Sequence, residues 1–446
     1  MTNMTEIRSL VKKILCHLPD EGRLIKSKVR QLRMKKEVVI ANLVGLLGKK
    51  ILPNPYAVYW IDPTRIQFHT NCKKDSLDWE DWVFDQNKYV KRVQSGDWDI
   101  AVHRVEDMRI CRAINDRIHH GVAWKNTEYY QRAINQIENG LELWGCSSRI
   151  SLDKHCNQID QLIESITTQG YREVSTDELS LTHTRYKEIL VNINRDGFCL
   201  FQDGRHRLAI ARALRLKRIP IQILVRHSNW QSFRELMHQM ARGEGGASKS
   251  GLLYQTPIHF DLSDIPYEHA CEDRWDAIKN NLDQAPVGMA LDIGCNLGYF
   301  CHRLEDIGYS CIGVEYLPEV AFAARKIAFA ENRQLKIVTG DILVQETLQE
   351  IAASNYSVVI ALNIFHHFIK TKDSYEKLRQ FMNNIRVGAM FFESHHPSDP
   401  QMQGVYLNPS QNEFVQLLRE WGRFERVLPI YEATDGRILF KLDQQR

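Results

Sequence analysis

Asp292, Gly294, Asn296 and Gly298 fall within the stretch Met-Ala-Leu-Asp-Ile-Gly-Cys-Asn-Leu-Gly-Tyr-Phe at 289–300. An apolar run there gives way to small residues and then to a helical pattern. A buried strand that passes through a glycine turn into a helix brings backbone N–H groups close to a ligand at the helix N-terminus. Glu315 ends the next apolar run, Cys311-Ile312-Gly313-Val314, 23 residues beyond Asp292. A carboxylate at that remove can accept hydrogen bonds from both hydroxyls of a ribose. The chemistry that this spacing suggests is the binding of a nucleoside-containing cofactor.

Two further strands support the same site. Asp341 follows the apolar run Leu335-Lys336-Ile337-Val338, and Asn363 follows Val358-Val359-Ile360-Ala361-Leu362. Each polar residue is expected at the carboxyl end of a parallel strand, where open α/β sheets bind ligands. On these residues the segment 257–446 resembles the class I S-adenosylmethionine-dependent methyltransferases. The resemblance implies a doubly wound, seven-stranded Rossmann-like sheet. It also implies that Asp292, Gly294 and Gly298 line the methionine end, Glu315 holds the ribose, Asp341 faces the adenine and Asn363 closes the pocket. Asn296 stands where the usual turn of that family has its middle glycine, and counts with them as cofactor-binding. A nicotinamide or flavin site would want G-x-G-x-x-G beneath a pyrophosphate, whereas the spacing here is G-x-x-x-G.

The candidate catalytic groups follow the next strand ends. His366 and His367 lie in Asn-Ile-Phe-His-His-Phe at 363–368, and Glu393 opens Glu-Ser-His-His at 393–396. An imidazole with an ordinary pKa near 6.5 can take a proton from a nucleophile as a methyl group transfers. The alternative is a packed histidine that orients a loop. A metal-assisted version, with Glu393, His395, His396 and His367 as ligands, suits divalent-ion chemistry. Adjacent histidines on a strand point to opposite faces, so the expectation is no metal. The same short stretches look similar to methyltransferase domains of bifunctional kinase-methyltransferases that terminate bacterial surface polysaccharides, which implies a glycan acceptor carrying phosphate.

A second constellation lies upstream. Glu188-Ile-Leu-Val-Asn-Ile193 reads as a strand, Arg195-Asp196-Gly197 as a hairpin turn and Phe198-Cys-Leu-Phe201 as its partner. Asp203-Gly204-Arg205-His206-Arg207 then opens a helix over 208–214. Cations in a first helical turn oppose the macrodipole by about 0.3–1 kcal/mol each, which argues for an anionic ligand at the free N–H groups. This stretch resembles the ParB/sulfiredoxin-like superfamily. That implies nucleotide or phosphate binding at Gly204, Arg205, His206 and Arg207, with ATP or another nucleotide and magnesium as candidate ligands. Glu188 and Asp203 are the carboxylates expected to serve as base or magnesium ligand. Asp97-Trp98-Asp99 and Trp124-Lys125-Asn126-Thr127-Glu128 are placed provisionally at the same site or in the core.

These elements need a chain of more than one domain, and 446 residues supply it. The expected layout is a basic helical segment over 1–56, a smaller α+β ParB/sulfiredoxin-like domain over 57–242, a flexible linker over 243–256 and the methyltransferase domain over 257–446. Residues 1–50 hold twelve Lys/Arg against four Asp/Glu, so this arm suits either a solvated helical face or peripheral contact with anionic lipid. Across the whole chain 58 Lys and Arg nearly balance 55 Asp and Glu, which disfavours nucleic acid as the default partner. Ten cysteines without C-x-x-C pairs, and no apolar run long enough to span a bilayer, fit a reduced protein of the cytoplasm. The competing functions are a nucleic-acid methyltransferase with a ParB-like binding module and a nucleotide-sensing scaffold without turnover.

Overall fold

The computed structural model describes residues 54, 56–70, 79–81, 93–100, 103–173, 188–243, 251–282, 288–351 and 355–444. The basic segment expected over 1–56 lies almost wholly outside the described residues. The chain divides into two compact units, residues 1–235 and 236–446.

In the first unit a mixed sheet is built from β1 (Tyr59–Ile61), β2 (Phe68–His69), β3 (Val93–Gln94), β4 (Ile189–Ile193), β5 (Cys199–Asp203) and β6 (Ile219–His227). Its order is β1-β6-β4-β5-β2, with β3 also paired to β6. Every residue of β4 and β6 is buried, which explains the apolar runs 189–191 and 223–225. Asn192 is the polar exception inside β4. It donates to Thr70 Oγ1 at 2.8 Å and Gln202 Oε1 at 2.7 Å and accepts from the Val225 N–H at 3.0 Å. It thereby satisfies the backbone group that a register shift at Val191/Asn192 leaves without a ladder partner. The helices are α1 (Arg109–His120), α2 (Glu128–Glu138), α3 (Arg149–Gln169), α4 (Arg205–Ala213) and α5 (Ser228–Ala241).

The second unit begins at Leu236, ahead of the expected linker. Residues 244–250 of that linker lie outside the described residues, but β7 (Leu253–Gln255) pairs in parallel with β8 (Tyr267–His269). Residues 253–255 of the expected linker are thus a strand. Alternation in Leu253-Tyr254-Gln255, buried, exposed, buried, shows why: Leu253 anchors what composition alone presents as an unstructured tract.

After α6 (Glu272–Asn280) come β9 (Met289–Ile293), α7 (Tyr299–Asp306), β10 (Ser310–Glu315), α8 (Pro318–Ala330), β11 (Lys336–Thr339), α9 (Gln345–Ile351), β12 (Asn355–Leu362), α10 (Lys372–Asn384), β13 (Arg386–Glu393), α11 (Gln411–Gly422), β14 (Arg426–Glu432) and β15 (Ile438–Asp443). The seven strands β9–β15 form one sheet in the order β11-β10-β9-β12-β13-β15-β14. Its first five are parallel, and β15 runs antiparallel between β13 and β14. Side chains alternate between two apolar layers. Leu291, Ile293 and Phe392 enter one, while Ala290, Phe391 and Phe300 enter the other. Full burial of a phenylalanine such as Phe391 or Phe392 contributes about 1.5–3 kcal/mol. Strand order reverses between β9 and β12, and a crevice opens there beyond the strands' carboxyl ends. No helix of the described residues is long and apolar enough to cross a membrane.

Candidate functional site

The turn after β9 is held in an unusual backbone conformation. Gly294, Asn296 and Gly298 have φ of 75°, 51° and 82°. Asparagine is among the few side chains that adopt this left-handed region readily, so the turn reaches it at Asn296 without a glycine. A Cβ at Gly294 would lie 3.0 Å from the Ile364 side chain. The N–H groups of Gly294 and Cys295 both donate to the Val314 carbonyl, at 2.9 and 3.0 Å. Glu315 finishes the clasp, accepting from the N–H of Asn296 at 3.0 Å and of Leu317 at 2.9 Å. Burial raises the Glu315 pKa, and the N–H groups of Leu317, Asn296 and Tyr316 oppose that rise.

Above this turn lies a two-lobed cleft. One lobe, about 630 Å³, is bounded by Gly294, Asn296, Glu315 and Asn363 and reaches the histidines 366, 367, 395 and 396. The other, about 530 Å³, reaches Asp292, Cys271, Arg274 and Glu393. Asp292 is 2% exposed, with the Cys301 thiol donating to it at 3.6 Å. Burial pushes its pKa up to about 7, Cys301 holds it down, and Glu315 adds to the rise. A buried carboxylate with so weak a donor fits an ammonium group of an amino-acid moiety, and an acidic cleft fits a sulfonium.

The expected cofactor residues are not all drawn together. Asp292, Gly294, Asn296, Glu315 and Asn363 line the cleft. Gly298 instead caps α7, and Asp341 accepts from the Leu343 N–H at 2.9 Å, ordering the turn after β11. Neither is among the described residues lining the two lobes. Asn363, at φ 53°, donates to Glu393 Oε1 at 2.8 Å, while its N–H reaches the Glu393 carbonyl at 2.9 Å.

Glu393 does not have the surroundings of a general base. It is 1% exposed and accepts from Arg274 Nε at 3.1 Å, with Arg437 3.6 Å away. Its oxygens are occupied by two guanidiniums and an amide, so it organises the cleft wall. The metal-assisted arrangement also lacks support: among the described residues no group of three or more His, Cys, Asp and Glu could hold a metal ion.

His366 is 5% exposed, and neither ring nitrogen makes a hydrogen bond of ordinary geometry within the described chain. Its ring centroid lies 4.0 Å from that of His367 and 5.5 Å from that of His395. Burial brings its pKa down to about 3, helped by His367, His395 and Lys370, while Gln401 pulls the other way. Burial and Lys370 lower His367 as well. Tyr254, Glu268, His269, Arg274, Asp399, Gln401, Asp435 and Arg437 complete the walls, and sequence reasoning missed all of these as site residues. The one readable signal was Asp435-Gly436, a hairpin-turn dipeptide that presents Arg437 at the start of β15.

In the first unit Gly204, at φ 94°, begins α4 without a side-chain cap, and Asp203 accepts from its N–H at 2.7 Å. The cations expected to await a phosphate have protein neighbours. Arg207 lies 3.6 Å from the buried Glu188, and Arg205 stacks over Trp144 at 5.1 Å. His206 sits 3.3 Å from the Tyr129 hydroxyl beside His155, and burial with Arg205 brings its pKa down to about 3. Asp97 and Asp99 instead hold Arg195 of the β4–β5 turn, at 2.8 and 2.7 Å. Trp124 donates to Asp160, which also pairs with Arg117. Both upstream motifs are thus structural here.

Residues 291–391 match a family described as a methyltransferase domain. The chain carries an S-adenosylmethionine-dependent methyltransferase domain. Over 202 residues it is 22% identical to the O-antigen chain terminator bifunctional methyltransferase/kinase WbdD of Escherichia coli, a match covering 42% of this chain and 28% of that protein. The chain thus spans well under a third of the length of the curated relative it matches. A crystal structure of WbdD is 21% identical, with a TM-score of 0.37 over 44% of this chain and 45% of that one. The magnesium protoporphyrin IX methyltransferase ChlM of Synechocystis PCC 6803, with bound S-adenosylmethionine, is 14% identical at a TM-score of 0.29, over 39% and 76%. These likenesses carry no argument about the acceptor.

Proposed function

We propose that the methyltransferase domain acts on a small-molecule or glycan acceptor, with S-adenosylmethionine held between Asp292, the 294–298 turn, Glu315 and Asn363. The observation that carries this reading is the clasp between Glu315 and the Asn296 N–H, which puts a carboxylate beside the glycine turn at the floor of the cleft. When bound, the cofactor supplies an electrophilic methyl group. Asp292 receives its ammonium group, Glu315 its ribose hydroxyls, and Asn363, braced by Glu393, closes the side toward the acceptor. His366, uncharged and facing the cleft, takes the acceptor's proton. A glycan acceptor is supported by the sequence likeness to the O-antigen chain terminator WbdD.

For the first unit we propose a ParB/sulfiredoxin-like nucleotide- or phosphate-binding domain that uses the uncapped first turn of α4, after Gly204. Arg205 and Arg207 would have to leave Trp144 and Glu188 to reach an anion. Calorimetric titration of the full chain with S-adenosylmethionine, ATP, GTP and CTP tests both readings. Heat of binding is expected for S-adenosylmethionine and for one nucleotide. Absence of cofactor binding removes the pocket assignment, and absence of all nucleotide binding removes that of the first unit.

A further inference from the structure

Among the described residues the two arginines of the cleft wall are already paired with carboxylates. Arg437 faces Asp435 at 2.6 Å and Glu393 at 3.6 Å, while Arg274 faces Asp273 at 2.6 Å and Glu393 at 3.1 Å. Two guanidiniums thus meet three carboxylates, and Glu268 and Asp399 add further acid to the lining. The Lys370 amine sits 3.4 Å from His367 Nδ1 and 3.3 Å from Gln401 Oε1. An incoming phosphate dianion would have to displace a carboxylate from an arginine or enter against a field of its own sign.

The imidazoles point the same way. Asn408 Nδ2 donates to the Pro397 carbonyl at 2.9 Å, so its Oδ1 faces His395 Nε2 at 3.0 Å and fixes the proton on that nitrogen. His395 Nδ1 then accepts from Ser394 at 3.1 Å, which leaves His395 with no open site. His366 retains both nitrogens without a partner of ordinary geometry. A neutral imidazole on the cleft wall can accept the proton of a hydroxyl, whereas an ionised phosphate oxygen has none to give.

We propose that the acceptor is an uncharged hydroxyl compound, such as an unphosphorylated sugar, recognised by the His366 ring, and that phosphorylated acceptors are excluded by arginines already saturated with carboxylates. This rests on the reading of the cleft as the methyltransferase site. Transfer forms the new C–O bond as the C–S bond of the bound sulfonium breaks. The electron pair stays on sulfur, and the hydroxyl proton passes to His366.

The test uses the full chain loaded with S-adenosylhomocysteine, its binding first verified by calorimetry, so that failure of the pocket assignment appears separately. Phenyl β-glucoside and phenyl phosphate are then compared by saturation-transfer NMR. We expect saturable contact from the glucoside, lost in His366→Ala, and at least about tenfold weaker contact from the phosphate. Tighter binding of the phosphate that is lost in Arg437→Gln, or equal behaviour of the two probes, bound or unbound, would overturn the proposal.

Discussion

Glu315 Oε2 accepts a hydrogen bond from the Asn296 N–H at 3.0 Å, joining the end of β10 to the turn after β9. The same carboxyl group thus shapes the turn and lines the cleft. Replacing Glu315 with Ala is expected to weaken S-adenosylmethionine binding by about 1–3 kcal/mol, the cost of leaving buried hydrogen-bonding groups unmet. Calorimetry reads this directly, and wild-type affinity would show that the carboxylate does no more than hold the loop.

Asp292 gives a pH dependence with a definite sign. Its folded pKa is raised from 3.8 to about 7, so between those values the native state binds more protons than the unfolded one. The Asp292 contribution to stability therefore falls as pH rises from about 4 to 7 in the cofactor-free protein. Cofactor affinity runs the other way, increasing through about pH 7 as the carboxylate ionises to meet an ammonium group. Asp292→Asn should flatten both profiles, measured by thermal melts and by titration at pH 5, 6, 7 and 8.

His366→Ala is expected to lower the methyl-transfer rate by about tenfold while leaving cofactor affinity unchanged, the modest loss that suits a proton acceptor of low basicity. Its pKa near 3 also means that its protonation gives no acidic limb near pH 6.5. A rate profile that bends at 6.5 and loses the bend in this variant would contradict the assignment.

Gly294→Ala carries two penalties, a left-handed backbone at φ 75° and a Cβ 3.0 Å from Ile364. A loss of at least about 1–2 kcal/mol in unfolding free energy is expected, whereas Asn296→Gly, at φ 51°, should be nearly neutral. Denaturant melts of the two variants make the comparison.

Arg195→Ala strands Asp99, which is 3% exposed and bonded to both the Arg195 N–H and its guanidinium. Removing one partner of a buried pair costs about 3–5 kcal/mol, reduced here because Arg195 is a third exposed. The first unit should lose thermal stability with no change in S-adenosylmethionine affinity.

Strands and turns of the central elements were legible because their signals are local. Continuous apolar runs marked β4, β6, β9 and β12, and Asp292-x-Gly294-x-x-x-Gly298 marked the crossover. What stayed hidden depended on distant partners. Nothing local in Glu393 tells that Arg274, 119 residues earlier, takes its second oxygen and turns a candidate base into a brace. Likewise Arg207 looks like a phosphate ligand until Glu188 is placed beside it. Tyr254 and His269 reach the cleft from two strands of three residues each, too short to show a period. Nor does the run before Asp341 tell that its carboxylate accepts from the Leu343 N–H of its own loop.

Glu393 is gripped by an arginine from the first helix of its unit and by another from the hairpin that closes it. A chain cut anywhere before residue 437 would keep the carboxylate but lose one of these two guanidiniums and the strand that pairs beside it, so its cleft wall should assemble poorly.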